Sequence, residues 1–353
     1  MLHRGPARTS GEKPTMPVHR DLPGHHRPSL RRRVQAAAVA ISLACGGSNP
    51  GNAAPTSLAA PSPLLVGYFP CYKGVNFSGY ANKLDFRKMT HLNLAFGNPP
   101  KCEGICNSHS NMDFSIDGQT DVDITALVSA AHAAGVKVLI SIGGGGGDQR
   151  ILQFYNAGLS EPLVASLDKY VKAHNLDGVD LDVEDPSNMG APFAAFVRAL
   201  VDKFRPQGRL VTAAVAKYLQ DSMPDSALHQ FDFINVMNYS SYDAAVTALQ
   251  FYSVQKTVPK NKIVLGLPFF AQNSTGSKEE DYGAILAAYP NAWRVDMVGG
   301  GAFDDGQVFN YVGESTMTQE IQLAKEYGGV MIWQLLGDAP EPHSLLRLIQ
   351  NDL

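Results

Sequence analysis

Asp177-Gly-Val-Asp-Leu-Asp-Val-Glu184 sets four carboxylates among eight residues of an otherwise apolar run. Val179, Leu181 and Val183 alternate with Asp180, Asp182 and Glu184, a period of two. In a β-strand that period lines three acids along one face and the aliphatics along the other. Like charges in a row repel, and burying them is costlier still, so such a row belongs to a metal site or a catalytic cleft. Leu176 before the run and Asp185-Pro186 after it describe a core strand entering a loop rather than an exposed edge.

Working outward, short apolar runs of strand character recur along the chain. They are residues 64–70, 91–96, 137–143, 178–184, 210–216, 233–239, 263–270 and 329–335. Most are apolar on both faces, as parallel strands under helices are. Between them the spacing turns helical: Phe193, Phe196, Val197, Leu200, Val201 and Phe204 fall on one face, as do Leu163, Val164, Leu167, Tyr170 and Val171. Ile124, Leu127, Val128 and Ala131 repeat the pattern, and Gly135 stops that helix. Eight strand–helix units predict a single (β/α)8 TIM barrel over residues 64–353, with an open doubly wound sheet as the competing arrangement. Residues 271–328 form the longest insertion, which carries Trp293 and Gly299–Gly301 and is expected to overhang the cleft.

The net charge of −4 over 353 residues hides an asymmetry. Residues 1–45 hold eight of the 29 Lys/Arg and two of the 33 Asp/Glu, leaving 21 basic against 31 acidic residues in the body. A body this acidic excludes nucleic-acid binding. Arg31-Arg32-Arg33, the apolar run Val34–Ala44 and the small residues Ser42 and Ala44 make residues 1–45 a targeting segment, too short for a stable membrane span. Export to a secreted, periplasmic or cell-surface location is expected. Cys45 followed by Gly46 is also a candidate for lipid attachment, although Ser42 replaces the usual Leu. Residues 46–63 read as a flexible linker. Cys71, Cys102 and Cys106 permit a 102–106 disulfide or a pairing of Cys71 with either partner. No metal site or cofactor is expected, and the scattered His91, His174, His229 and His343 are surface or core residues.

Five further stretches join the acidic strand: Lys137-Val-Leu-Ile-Ser-Ile-Gly-Gly144, Phe233-Ile-Asn-Val-Met-Asn-Tyr239, Gly329-Val-Met-Ile-Trp-Gln334, Gly67-Tyr68-Phe69 and Asn93-Leu-Ala-Phe96. In this order, with a complete Asp-Gly-x-Asp-x-Asp-x-Glu, the chain from Leu64 to about Asp338 resembles glycoside hydrolase family 18, the chitinases and endo-β-N-acetylglucosaminidases. The resemblance implies retaining, substrate-assisted hydrolysis, an exception to the two-carboxylate scheme. Glu184 would be general acid and then base, and the substrate's N-acetyl oxygen the nucleophile. Asp182 would orient the acetamide nitrogen, and Asp180 would share a proton with Asp182. Tyr239 would hold the acetamide oxygen and Trp333 would floor the sugar. Tyr68, Phe96 and Met237 are further candidate lining residues, and Asp177, out of phase, is structural.

The chain departs from the family pattern at Ser240, where Asp is common, and at Gln334, where Glu is frequent. Asp243 is expected to compensate for the first. Gly143–Gly147 lacks the Gly-Lys-Ser/Thr ending of a phosphate loop and fits the family turn instead. The expected partner is chitin or another N-acetylglucosamine oligosaccharide, bound by a monomer in an open cleft that favours internal cleavage. Two alternatives stay open: an endo-β-N-acetylglucosaminidase acting on N-glycan chitobiose cores, and a non-catalytic chitin or glycan lectin.

Overall fold

A computed structural model describes residues 62–185, 187, 189–300 and 306–353. The targeting segment, Cys45 and nearly all of the linker therefore lie outside the described residues.

Eight parallel strands close into a barrel: β1 (Leu64–Pro70), β2 (His91–Ala95), β3 (Lys137–Gly143), β4 (Gly178–Asp182), β5 (Leu210–Val215), β6 (Ile234–Val236), β7 (Ile263–Pro268) and β8 (Gly329–Trp333). Each strand pairs with its neighbour in sequence, and β1 pairs with β8 to complete the ring. The predicted TIM barrel is the fold. Where the strands run shorter than their apolar pattern, they do so at the C-terminal end, and β6 also starts one residue later than its run, at Ile234. β4 stops at Asp182, so Val183 and Glu184 belong to the following loop, and β6 stops at Val236, so Tyr239 does too. Pairing ends there because the chain splays outward to form the mouth.

The helical faces read from the sequence are the buried ones. Phe193, Phe196, Val197, Leu200, Val201 and Phe204 are the buried residues of Ala191–Phe204, and Leu163, Val164, Leu167 and Val171 are buried in Ser160–Ala173, where Tyr170, read onto the same face, is only half-buried. Asp121–Ala133 opens with a reciprocal capping box between Thr120 and Asp123 and gives way to Gly135 at φ +78°. Between barrel and helices lies one large apolar layer. Inside the barrel a smaller group, Val66, Tyr68, Ala95, Phe233, Val264 and Met331, fills the lumen.

The insertion after β7 builds a small four-stranded antiparallel sheet from Phe270–Asn273, Glu279–Asp281, Met297–Gly299 and Val308–Asn310, with the helix Tyr282–Ala288. Trp293 stacks on His343 at 4.8 Å and does not line the cleft. Cys102 and Cys106 form a disulfide and Cys71 is free.

Candidate active site

The mouth of the barrel holds a cavity of about 440 Å³ bounded by Asp182, Glu184, Tyr239, Met237, Phe96 and Trp333. These six of the eight expected residues thus come together. They come from the C-terminal ends of β2, β4, β6 and β8 or the loops just beyond, where barrels carry their chemistry.

Asp180 sits one layer deeper, fully buried. It accepts hydrogen bonds from the hydroxyls of Tyr68 (2.6 Å), Ser141 (2.8 Å) and Thr212 (2.6 Å), and from Asn235 Nδ2 at 3.4 Å. Burial raises its pKa, and these four donors, which favour the carboxylate, pull it back. Tyr68 is therefore not a lining residue as expected. It is 1% exposed, its hydroxyl is spent on Asp180, and it meets Trp333 only through an edge-on ring contact at 5.5 Å. Nor does a hydrogen bond join Asp180 to Asp182, as proton sharing requires; the donors from β1, β3, β5 and β6 occupy Asp180 instead.

Asp182 is 3% exposed and its Oδ1 has no hydrogen-bond partner. Its pKa is driven well up, first by burial, then by Glu184, Asp180 and Asp148. Glu184 is raised too, by burial first and Asp148 after, against a lowering by the Tyr218 hydroxyl, which donates to Oε2 at 3.1 Å. Two neighbouring carboxyls whose pKa values are both raised have the direction of shift that a general acid needs.

The glycine run places these groups. Gly144 N–H donates to the Asp182 carbonyl at 2.8 Å. Gly143 and Gly144 have φ of +102° and +80°, and a Cβ would strike the Asp182 carbonyl at the first and the Phe96 ring at the second. The run is a close-approach turn between β3 and β4. Asp148, at its end, is 4% exposed; burial raises its pKa while the backbone amides of Gln149, Glu184 and Asp185 lower it, so this carboxyl tethers the loop bearing Glu184.

Aromatic rings floor the cavity. Phe96 and Tyr72 stack on Trp333 at 5.6 and 6.5 Å. Tyr239 packs edge-on against Phe270, and among the described residues its hydroxyl has only the Met331 sulfur, at 3.9 Å, for a partner. Asp177 is structural, accepting from His132 Nε2 and the Val138 amide. Asp243 does not compensate for Ser240 at the acids: it lines an adjoining cavity, since the helix Tyr242–Gln250 carries it outward. Gln334 is buried, donating to Asp281 and accepting from the Leu336 amide.

Sequence reasoning missed Tyr218, Tyr72, Phe270, Gln272 and Glu279, all in loops or the insertion, whose approach no periodicity announces. Ser141, Thr212 and Asn235 carried a usable signal, a lone polar residue within a buried apolar strand. Among the described residues no helix is long and apolar enough to cross a membrane, and no group of His, Cys, Asp and Glu could hold a metal ion.

Comparison with known proteins points one way. The pattern of Glycosyl hydrolases family 18 matches residues 65–338. The chain is 26% identical to the family 18 chitinase ChiB from the chitin utilization locus of Flavobacterium johnsoniae, with a TM-score of 0.67 over 82% of this chain and 93% of that one. A chitinase from Bacteroides thetaiotaomicron shares the fold at 24% identity and TM-score 0.68, over 82% and 96% of the two chains. A chitinase-like effector of Moniliophthora perniciosa is 29% identical over 41% of this chain, and an endochitinase of Brugia malayi 25% identical over 62%. The matches span only 32% and 58% of those two proteins' own lengths. With its closed barrel, its acidic strand and this match over most of its length, the chain belongs to glycosyl hydrolases family 18.

Proposed function

We propose that this protein is an exported glycoside hydrolase that cleaves β-1,4-linked N-acetylglucosamine polymers with retention, by substrate assistance. The observation that carries the reading is Asp182 Oδ1, buried and without a partner beside a second protonatable carboxyl. A buried acceptor left open demands a donor, and an acetamide N–H supplies one.

Glu184 gives its proton to the glycosidic oxygen as the C1–O bond breaks. The acetamide oxygen closes on C1 from the opposite face, forming an oxazolinium ion whose N–H donates to Asp182. The Tyr239 hydroxyl, held only by a thioether, donates to the acetamide oxygen and aligns it. Glu184, now a carboxylate, takes a proton from water as its oxygen attacks C1, which restores the acetamide and leaves the configuration retained. Asp180, fixed by four donors, braces the strand beneath Asp182. Trp333, backed by Phe96, presents an apolar face to the pyranose C–H bonds. The Cys102–Cys106 disulfide supports export to an oxidising compartment.

A binding-only role is favoured by the chitinase-like effectors among the relatives and by the agglutinin of Robinia pseudoacacia that shares the fold at 18% identity. The complete acid pair argues for hydrolysis. Incubation with chitohexaose and, in parallel, with a high-mannose glycopeptide decides: short chito-oligomers from the first support the proposal. Glycan release from the second alone moves the protein to N-glycan cores, and silence on both with retained binding makes it a lectin.

A further inference from the structure

β3 outruns one of its two neighbours. Its pairing with β2 ends at Ser141 opposite Ala95, while its pairing with β4 continues to Gly143 opposite Asp182. Gly143 therefore reaches the mouth of the barrel with no β2 partner in the ladder. A buried N–H and C=O left open at that point would be costly. The Asn98 side chain meets both. Its Oδ1 accepts from the Gly143 amide at 2.9 Å, and its Nδ2 donates to the Gly143 carbonyl at 3.1 Å. One side-chain amide, a donor and an acceptor in one plane, stands in for the peptide group that β2 no longer supplies.

Asn98 is itself held from outside the barrel. It is 3% exposed and lies in a two-residue antiparallel ladder, Gly97–Asn98 against Ser115–Ile116. Arg150 donates to the carbonyls of Asn98 at 3.3 Å and Pro99 at 2.6 Å, and its Nη1 donates to Asp117 at 2.7 Å. The clasped residue opens the run Gly143–Gly147, which has no side chains with which to fix its own path. The next amide, Gly144 N–H, is the one that donates to the Asp182 carbonyl at 2.8 Å. Gly145 lines the catalytic cavity, where a Cβ would lie 3.6 Å from Glu184 Oε1. The run then curls back on the clasp: a Cβ on Gly147 would lie 2.4 Å from the Gly143 carbonyl oxygen and 3.2 Å from Asn98 Nδ2.

We propose that Asn98 is a positioning residue for the reaction: its amide fixes the Gly143–Gly144 turn, and through the Gly144–Asp182 bond the turn fixes how the acid pair faces the sugar. Asn98 does not line the cavity, so it acts through the turn and not on the substrate. The proposal rests on the hydrolase reading for its effect on turnover alone; the clasp on the turn does not depend on it.

The test compares the full chain with Asn98→Ala and Asn98→Asp. Hydrogen exchange over residues 143–148 reads the turn, chitohexaose kinetics read kcat and KM separately, and thermal unfolding shows that each variant is folded. In Asn98→Ala, residues 143–148 should exchange faster than in wild type. Its kcat should fall roughly 10- to 100-fold, the cost of a displacement on the order of an ångström, with KM within about three-fold of wild type. Asn98→Asp keeps the shape and the acceptor. Ionised, it turns a second oxygen on the Gly143 carbonyl; protonated, it donates again. Its kcat/KM relative to wild type should therefore climb as pH falls from about 8 to about 5, while the same ratio for Asn98→Ala stays level. Unchanged exchange in Asn98→Ala overturns the proposal, as does a kcat near that of wild type or an Asn98→Asp ratio indifferent to pH. Should Asn98→Ala fail to fold, the Asn98→Asp ratio decides. A wild type that leaves chitohexaose intact overturns the hydrolase reading, and the exchange comparison then supports or overturns the clasp by itself.

Discussion

Glu320→Gln should stabilise the barrel at neutral pH and not at acid pH. Glu320 lies on the buried face of Glu314–Ala324 with Met317, Ile321 and Ala324, is fully buried, and neither carboxylate oxygen has a hydrogen-bond partner. Burial, with a smaller push from Asp296, raises its pKa from 4.5 to about 8. The folded state therefore holds a proton that the unfolded state releases above pH 4.5. For a raised carboxyl the favourable contribution is complete below the unfolded pKa and is lost as pH rises toward the folded one. At about 1.4 kcal/mol per unit over the roughly 2.5 units from pH 4.5 to pH 7, the wild type loses on the order of 3 kcal/mol. Glutamine keeps the shape and cannot ionise, so the variant escapes that loss. Urea unfolding of both proteins at pH 4.5 and 7 measures the difference directly. The variant should gain on the order of 3 kcal/mol relative to wild type between the two pH values, or roughly 6 °C in Tm. A difference that stays constant across that range would refute the reasoning.

Three perturbations probe the site. Tyr218→Phe removes the donor that holds the Glu184 carboxylate, so the alkaline limb of kcat/KM should move up by about half a pH unit, the modest effect of a bond from an exposed hydroxyl; a limb that stays or falls separates Tyr218 from the acid. Gly144→Ala forces a side chain into the Phe96 ring at a left-handed backbone position, and should cost about 1–3 kcal/mol of stability together with most turnover. Normal activity there would detach the Phe96–Trp333 floor from catalysis. Ser240→Asp puts a carboxylate beside Tyr239 and should shift the pH optimum, whereas an unchanged profile makes Ser240 a lining residue of the adjoining cavity alone.

The eight strands were legible because a parallel barrel buries each strand on both sides, and burial leaves an apolar run that periodicity finds. Their C-terminal limits were less so. The pattern around Asp182 and Tyr239 continues past the point where pairing ends, because the loops at the mouth also turn apolar side chains inward. Glu184 was legible as a residue of the cavity because carboxylates alternating with aliphatics in an apolar run have few explanations. Tyr218 and Glu279 were not, since Tyr218 meets Glu184 across 34 residues of sequence and Glu279 reaches the cavity from the insertion sheet. Tyr68 was misplaced for a different reason. Period alone shows which face of β1 looks inward but not how deep, and one layer of depth separates a lining tyrosine from one that braces Asp180.

The central claim is that Glu184 is the proton donor of a glycosidase. Its most direct test is chitohexaose turnover by Glu184→Gln against wild type, with binding of the same hexamer measured alongside. The account predicts a fall of roughly 10²–10⁴-fold in kcat with the hexamer still bound. Turnover within a few-fold of wild type would contradict it.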